Sequence, residues 1–286
     1  MRTIIYSLIA VLLFGIVATS FKHSSKVKST ILVQATHRNA SSDMLNLSAG
    51  IITKRLKSFS SAKFNVAVIP EKKQIKITLA DNQNLPVLEN LVTKKGALSF
   101  SEVYNRMQFK ELNKENEQLL ALLKPGSADH SAAIIGCIAT AELDKLNDEL
   151  NKIELNQPCK FAWSQTSQNA ETCLYALNPA TKERSFPAGT DIESIKYSLD
   201  KGSKNYTISI VFNKAAAAIW YEATKRCINS PIAIVLDNNV LSAPTVKSEI
   251  SGGRCEITGD FTEAEAKSLV SLVNDGELPL DFKLVK

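Results

Sequence analysis

The chain has 286 residues, 44% of them hydrophobic and 22% charged, with a formal net charge of +5. That is an ordinary globular composition, long enough to bury a sizeable core in two or three small lobes, and it excludes a low-complexity or repeat protein. Within residues 1–60 the basic residues Arg2, Lys22, Lys26, Lys28, Arg38, Lys54, Arg55 and Lys57 stand against Asp43 alone, which leaves a mildly acidic remainder; without interleaved aromatics this excludes nucleic acid as a partner and suits either anionic lipid head groups or a solvated face.

Met1-Arg2 precedes the apolar run Ile4–Ala18. A basic start and a short hydrophobic region are the form of a secretory signal peptide, and Ala18-Thr19-Ser20 places cleavage after Ser20. Counted from Thr3 to Phe21, the same stretch just reaches the length of a membrane anchor. Lys22, Lys26 and Lys28 weigh against the anchor, because basic residues prefer the cytoplasmic side. Residues 1–21 are therefore a signal peptide or a membrane anchor, and both place the body outside the cytoplasm. No later window is apolar over a crossing length.

Residues 27–104 read as a first α+β lobe. Val27–Thr36 is a strand centred on Ile31, Leu32 and Val33. Ser42 or Asp43 caps a helix whose Leu45, Ala49, Ile52 and Leu56 share one face, with Lys54, Arg55 and Lys57 off it. Phe64, Val66 and Val68 alternate, as do Ile75, Ile77 and Leu79, across a Pro-Glu-Lys-Lys turn. Pro86 starts a helix carrying Leu88, Leu91 and Val92. Leu98, Phe100 and Glu102 restart strand periodicity. The order β-α-β-β-α-β is the split βαβ (ferredoxin-like) pattern, a mainly antiparallel sheet with helices on one face.

Residues 105–187 form a middle lobe of helices and a hairpin. Glu115–Lys124 is helical and stops at Pro125-Gly126. Thr140 caps a helix with Leu143, Leu146, Leu150 and Ile153. Phe161 and Trp163 alternate in one strand, and Leu174–Leu177 forms another. Pro179 and Pro187-Ala188-Gly189 mark a linker.

Residues 188–286 form a second α+β unit. Ile195, Tyr197 and Leu199 alternate, Gly202 turns, and Tyr206, Ile208, Ile210 and Phe212 alternate again. Asn213 caps a helix over Lys214–Ile228, with Ile219, Ala223 and Cys227 facing the sheet. Ile232–Leu236 is a buried strand, Asp237-Asn238-Asn239 a turn, and Cys255–Thr258 a further strand. Gly252-Gly253 is a tight approach between strands. Thr262 and Glu265 make a capping box. Ala266, Leu269, Val270 and Val273 then share one helix face, and Asp275-Gly276 ends the helix ahead of Pro279.

The chemistry is sparse. His23, His37 and His130 are scattered, with no His-Glu-x-x-His and no Cys-x-x-Cys, so no metal site is expected. A Gly-x-Ser-x-Gly elbow and a phosphate-cradling loop are both missing. Turn and cap chemistry accounts for Asp200, Asp237, Asp260 and Glu263 without a catalytic carboxylate pair. Of the five cysteines, Cys159 and Cys173 flank the Phe161/Trp163 hairpin and are the candidate disulfide. Cys227 and Cys255 point inward, as a second pair or as buried free thiols. No histidine stands near a cysteine in sequence to activate it.

Three stretches together resemble the first periplasmic (P1) domain of SecD and of fused SecDF: IAIVLDNNVLSAP (Ile232–Pro244), EISGGRCEITGDFTEAEAKSL (Glu249–Leu269) and DGELP (Asp275–Pro279). VFNKAAAAIWYEAT (Val211–Thr224), Lys160–Trp163 and Gly96–Tyr104 extend the resemblance upstream, and residues 188–286 resemble the P1 head. It implies a non-enzymatic module without cofactor on the periplasmic side of the inner membrane. Its partners would be translocating polypeptide or Sec translocon components. It also favours the anchor reading, because SecD places a membrane helix directly before P1. A Gly-containing Leu-Asp motif of the family is missing before Val27. With no later membrane helix expected, the reading is a free-standing P1 domain, and the family's proton-coupled action is not carried over. The alternative is a diverged envelope scaffold or ligand-binding module.

Overall fold

The computed structural model describes residues 29–80, 84–112, 117–124, 133–153, 158–164, 171–183 and 185–285. The hydrophobic segment expected over residues 1–21 lies outside them, and among the described residues no helix is long and apolar enough to cross a membrane. In chain order the elements are β1 (Ser29–Ala35), α1 (Ser42–Phe59), β2 (Phe64–Ile69), β3 (Gln74–Leu79), α2 (Leu85–Thr93), β4 (Leu98–Tyr104), α3 (Arg106–Leu112), α4 (Glu117–Leu122), β5 (Gly136–Ala139), α5 (Leu143–Leu150), β6 (Lys160–Ser164) and β7 (Glu171–Asn178). There follow β8 (Ile192–Leu199), β9 (Tyr206–Phe212), α6 (Lys214–Arg226), β10 (Ile232–Leu236), β11 (Asn239–Ser242), β12 (Arg254–Phe261), α7 (Glu263–Asn274) and β13 (Phe282–Leu284).

The α+β class with mainly antiparallel sheets holds, but the first lobe is completed differently from the expected split βαβ unit. Its sheet runs β13-β1-β3-β2, so the C-terminal strand takes the place beside β1. β4 leaves for a second sheet, where Leu98 lies opposite Leu236 and Glu102 opposite Ile232. The Asp237 carboxylate redirects it. It accepts the N–H of Gly96 at 3.0 Å and of Ala97 at 2.8 Å, while the Asp237 N–H donates to the Ala97 carbonyl. Those bonds fix the start of β4 against the β10–β11 hairpin. Leu278 then donates to the Lys95 carbonyl, and Leu278, Leu280 and Phe282 bury as the chain returns to β1.

In the second sheet β4 pairs with β10, β10 with β11, β11 with β6, β6 with β7, and β7 again with β4, which closes a circuit; β5 extends it from β7. Its β11–β6 step is parallel. Ala162, Tyr175, Leu177, Ala233, Val235 and Val240 pack together as one buried cluster of this sheet. α3, α4 and α5 supply Phe109, Leu119 and Leu146 to another. The third sheet, β12-β9-β8, carries α7 against it. Its core is continuous with the first lobe's, because Ile31, Ile52, Leu91, Ile208, Trp220 and Leu269 belong to one cluster.

Two local readings are corrected. The N-cap of α1 is Ser41, whose hydroxyl accepts the Met44 N–H, rather than Ser42 or Asp43. More consequentially, Arg55 does not project away from the core but is fully buried, at 0% exposure. Its guanidinium donates to the carbonyls of Leu91, Lys94 and Lys95 at the end of α2, and of Leu272 and Gly276 at the end of α7, at 2.6–3.3 Å. The last carbonyls of a helix have no partner within it and carry its partial negative charge, so one cation answers both ends. Burial lowers the Arg55 pKa to about 10, opposed by the charges of Asp237, Asp275 and Glu277, so it stays protonated at neutral pH. Gly96, at φ +83°, admits this packing: a Cβ there would sit 2.5 Å from both an Arg55 amino nitrogen and the Leu272 carbonyl oxygen.

Arg55→Met removes a charged donor from five carbonyls at once, of which that of Lys95 keeps the Leu278 N–H, and the expected loss of stability is about 3–5 kcal/mol. Arg55→Lys recovers only part of it, because an ammonium cannot span the set as a planar fork does. Urea unfolding followed by circular dichroism measures both; an Arg55→Met midpoint equal to that of the parent chain would refute the double-cap reading.

Candidate functional site

Asn213 caps α6 by accepting the Ala216 N–H at 2.9 Å. The alanines that follow let the helix approach the Gly252-Gly253 turn. A Cβ on Gly253, at φ +59°, would sit 2.5 Å from the Ala217 Cβ, so the close approach expected of this glycine pair is to a helix and not between strands. One turn on, Trp220 is buried together with Ala223 and Cys227 of the expected inward face, while Ile219 is only half-buried. The Trp220 ring centroid lies 5.1 Å from that of Phe100 and 5.4 Å from that of Phe212, and its indole N–H donates to the Arg254 carbonyl at 3.0 Å. Thr224 donates back to the Trp220 carbonyl and accepts the Ile250 N–H at 2.9 Å. Arg226 binds Glu102 of β4 at 2.8 Å and holds the far end of the helix.

Between α6, β10 and β12 lies a groove of about 320 Å³, walled by Trp220, Ile232, Ile234, Pro244, Val246 and Ile250. The Pro244 carbonyl accepts the Ile232 N–H at 3.1 Å, and Val246 exchanges bonds with Asn229 and Ser230, so that wall is tied down by main-chain pairing. β12 forms the remaining side with Arg254, Cys255 and Glu256. The Phe212 N–H donates to the Gly253 carbonyl, and with Arg254 opposite Val211 the alternation of an antiparallel ladder turns the main-chain groups of Arg254 and Glu256 away from β9. Trp220 takes the Arg254 carbonyl. β12 ends its sheet, and the described residues provide no strand to pair with the Glu256 N–H and C=O on its outer edge. An apolar trough beside an unpaired strand edge is the result.

The thiol on this wall is kept protonated. Burial, with a smaller contribution from Glu256, pushes Cys255 up to about 12. Burial, then the charge of Glu102, pushes Cys227 up to about 11. Both are free and buried, which decides between the two alternatives read for them. Thiols protonated at neutral pH are weak nucleophiles and behave as small hydrophobes.

The expected Cys159–Cys173 disulfide is corrected: Cys173 bonds to Cys137, and Cys159 is a free, half-buried thiol. β5 and β7 place Cys137 directly opposite Cys173. Cys159 precedes β6, whose Lys160 faces Leu177 at the other end of β7. The carboxylates are spent on local structure. Asp200 accepts from the Gly202 N–H and the Ser203 hydroxyl, bonds that hold its carboxyl below the usual range. Asp237 takes Gly96 and Ala97, and Asp260 accepts from Asn205 at 2.8 Å. Glu263 opens α7, beside the Thr262/Glu265 capping box that forms as expected. His37 lies 3.6 Å from Asp281 at the surface, and His23 and His130 fall outside the described residues. Among the described residues no group of three or more His, Cys, Asp and Glu converges.

Residues 167–280 match the family model described as SecDF, P1 head subdomain, and the groove lies wholly inside that match. The SecD protein translocase subunit of Rickettsia bellii is 35% identical over 105 residues, covering 37% of this chain and 20% of that protein. The SecD subunit of Syntrophobacter fumaroxidans is 25% identical over 188 residues, covering 62% of this chain and 34% of that protein. The chain thus spans between a fifth and about a third of the length of these curated relatives. A solved structure of SecDF, described as a membrane component that enhances protein export, superposes with a TM-score of 0.54 at 19% identity, covering 90% of this chain and 98% of that one; this establishes a shared fold.

Non-reducing peptide mapping should recover Cys137 joined to Cys173, with Cys159, Cys227 and Cys255 alkylated only after denaturation. Rapid alkylation of native Cys255 at pH 7 would contradict its burial and its raised pKa.

Proposed function

Because the chain carries a P1 domain of the SecD/SecDF type, we propose that it is a non-enzymatic protein-export module on the periplasmic side of the inner membrane. It holds an extended segment of translocating polypeptide in the groove between α6, β10 and β12, and it works beside the Sec translocon. The N-terminal segment serves as the membrane attachment. The observation that carries this reading is the pairing of an uncharged apolar wall with the free edge at Glu256. Main-chain bonding along a strand edge is indifferent to sequence, and a row of apolar walls accepts alternate side chains of many kinds. A carrier of diverse chains needs that tolerance.

A second reading, a diverged envelope module that takes a small apolar ligand, is favoured by the groove's volume of about 320 Å³, at the lower end of ordinary ligand sites. The two are separable, because a small ligand needs the walls and not the strand edge.

Ile250→Asp puts a charge on the wall and should weaken binding of an unfolded, apolar-rich polypeptide about tenfold or more, given roughly 1.5–3 kcal/mol for burial of such a side chain. Glu256→Pro removes the outward N–H along with the carboxylate, so relative to Glu256→Ala it should weaken polypeptide binding while leaving a small apolar dye bound. Photocrosslinking from position 250 in the cell envelope should capture exported chains in transit. Recovery of neither exported chains nor Sec components would refute the export reading.

A further inference from the structure

A second strand edge lies on the first lobe, away from the groove. Among the described residues β2 ends its sheet, bonded to β3 alone. Ala80 donates to the Lys63 carbonyl at 3.0 Å, and Phe64 lies opposite Leu79. Antiparallel alternation therefore bonds Asn65 and Ala67 to β3 and turns the N–H and C=O of Phe64, Val66 and Val68 outward. Alongside this edge, between β2 and the last turns of α1, runs an open trough of about 730 Å³. Lys57 and Lys63 line it, no carboxylate does, and neither lysine joins an ion pair among the described residues. Two of the wall's hydroxyls are used locally: the Thr53 hydroxyl donates to the Ala49 carbonyl and the Ser60 hydroxyl accepts the Ala62 N–H.

We propose that the β2 edge takes up an extended, acidic polypeptide segment as an added strand, with its carboxylates on Lys57 and Lys63. Alternate side chains of a strand leave on opposite faces. Lys57 comes from the helix that covers one face of the sheet, and Lys63 precedes β2 in phase with the exposed Asn65 and Ala67 on the other. A segment with carboxylates on successive residues meets both. A second copy of this chain does not fit, because edge-to-edge pairing would bring like charges together, the usual protection of an exposed edge. This surface is independent of the groove and of the export reading.

The test uses the full chain and two labelled peptides, (Val-Glu-Glu)4 and (Val-Lys-Lys)4, whose paired charges fall on both faces of a strand, read by fluorescence anisotropy, with amide exchange on 15N-labelled protein. (Val-Glu-Glu)4 should bind and protect the amides of Phe64, Val66 and Val68, and (Val-Lys-Lys)4 should not. Lys57→Glu with Lys63→Glu should weaken binding at least about fivefold, in keeping with exposed ion pairs, and added salt should do the same. Val66→Pro removes one outward N–H and should abolish protection along β2, an edge position where proline is tolerated. Glu256→Pro, which acts on the separate groove, should leave the protection of Phe64, Val66 and Val68 in place. Equal binding of both peptides, no response to the double charge reversal, protection at β12 in place of β2, or dimerisation through β2 without peptide uptake would each overturn the proposal.

Discussion

A single buried guanidinium holds the architecture together. α2 belongs to the first lobe and α7 to the third sheet, and their C-terminal carbonyls converge on Arg55 of α1. Helix ends buried without partners are costly, and two such ends pointed at each other repel as well. A cation between them removes both penalties, and the continuous core of the two regions follows from that arrangement. The site is not perfectly satisfied. The Arg55 Nε and a buried Asp275 oxygen have no hydrogen-bond partner. That imbalance fits a residue selected for the reach of its fork rather than for completeness.

The exchange of β4 for β13 is the second consequence of the same junction. Lys95 and Gly96 sit between the Arg55 cap and the Asp237 cap, so the turn after α2 is held from both sides. β4 can then only leave along β10. Leu278, bonded to the Lys95 carbonyl, sends the C-terminal strand into the place β4 vacates. The groove inherits its rigidity from this. Phe100 of β4 packs on Trp220, Glu102 of β4 holds Arg226, and β10 forms the groove floor against β4 itself.

What was legible in the sequence was local. The Thr262/Glu265 capping box, the Asn213 cap, the Asp237-Asn238 turn and the alternating strands involve neighbours within a few residues, so pattern alone finds them. Whatever needed a distant partner was hidden. Arg55 lies off the apolar stripe of α1, and its ligands are carbonyls 36 to 221 residues away; no side-chain pattern advertises main-chain acceptors. Alternation identifies β4 and β13 as strands but not whom they pair. The Cys137–Cys173 pairing is hidden from a local reading because β5 is four residues long, Gly136–Ala139, and buried without alternation, so no strand pattern marks Cys137. Of the groove, only the strands and the helix could be read. The strand edge at Glu256 appears once the sheet order is known.

Burial holds the thiol on the groove wall protonated. Cys255 contributes to the wall, yet the desolvation that makes the wall apolar also keeps its thiol protonated. The one disulfide lies between β5 and β7, and neither strand contributes to the groove. The carboxylates that would make an acid–base pair are bonded into turns and caps. On the β12 edge the groove meets the main-chain groups of Glu256, which any polypeptide can match, beside the charged residues Arg254 and Glu256. Apolar walls beside an unpaired edge are the features that the proposed grip on an extended segment requires.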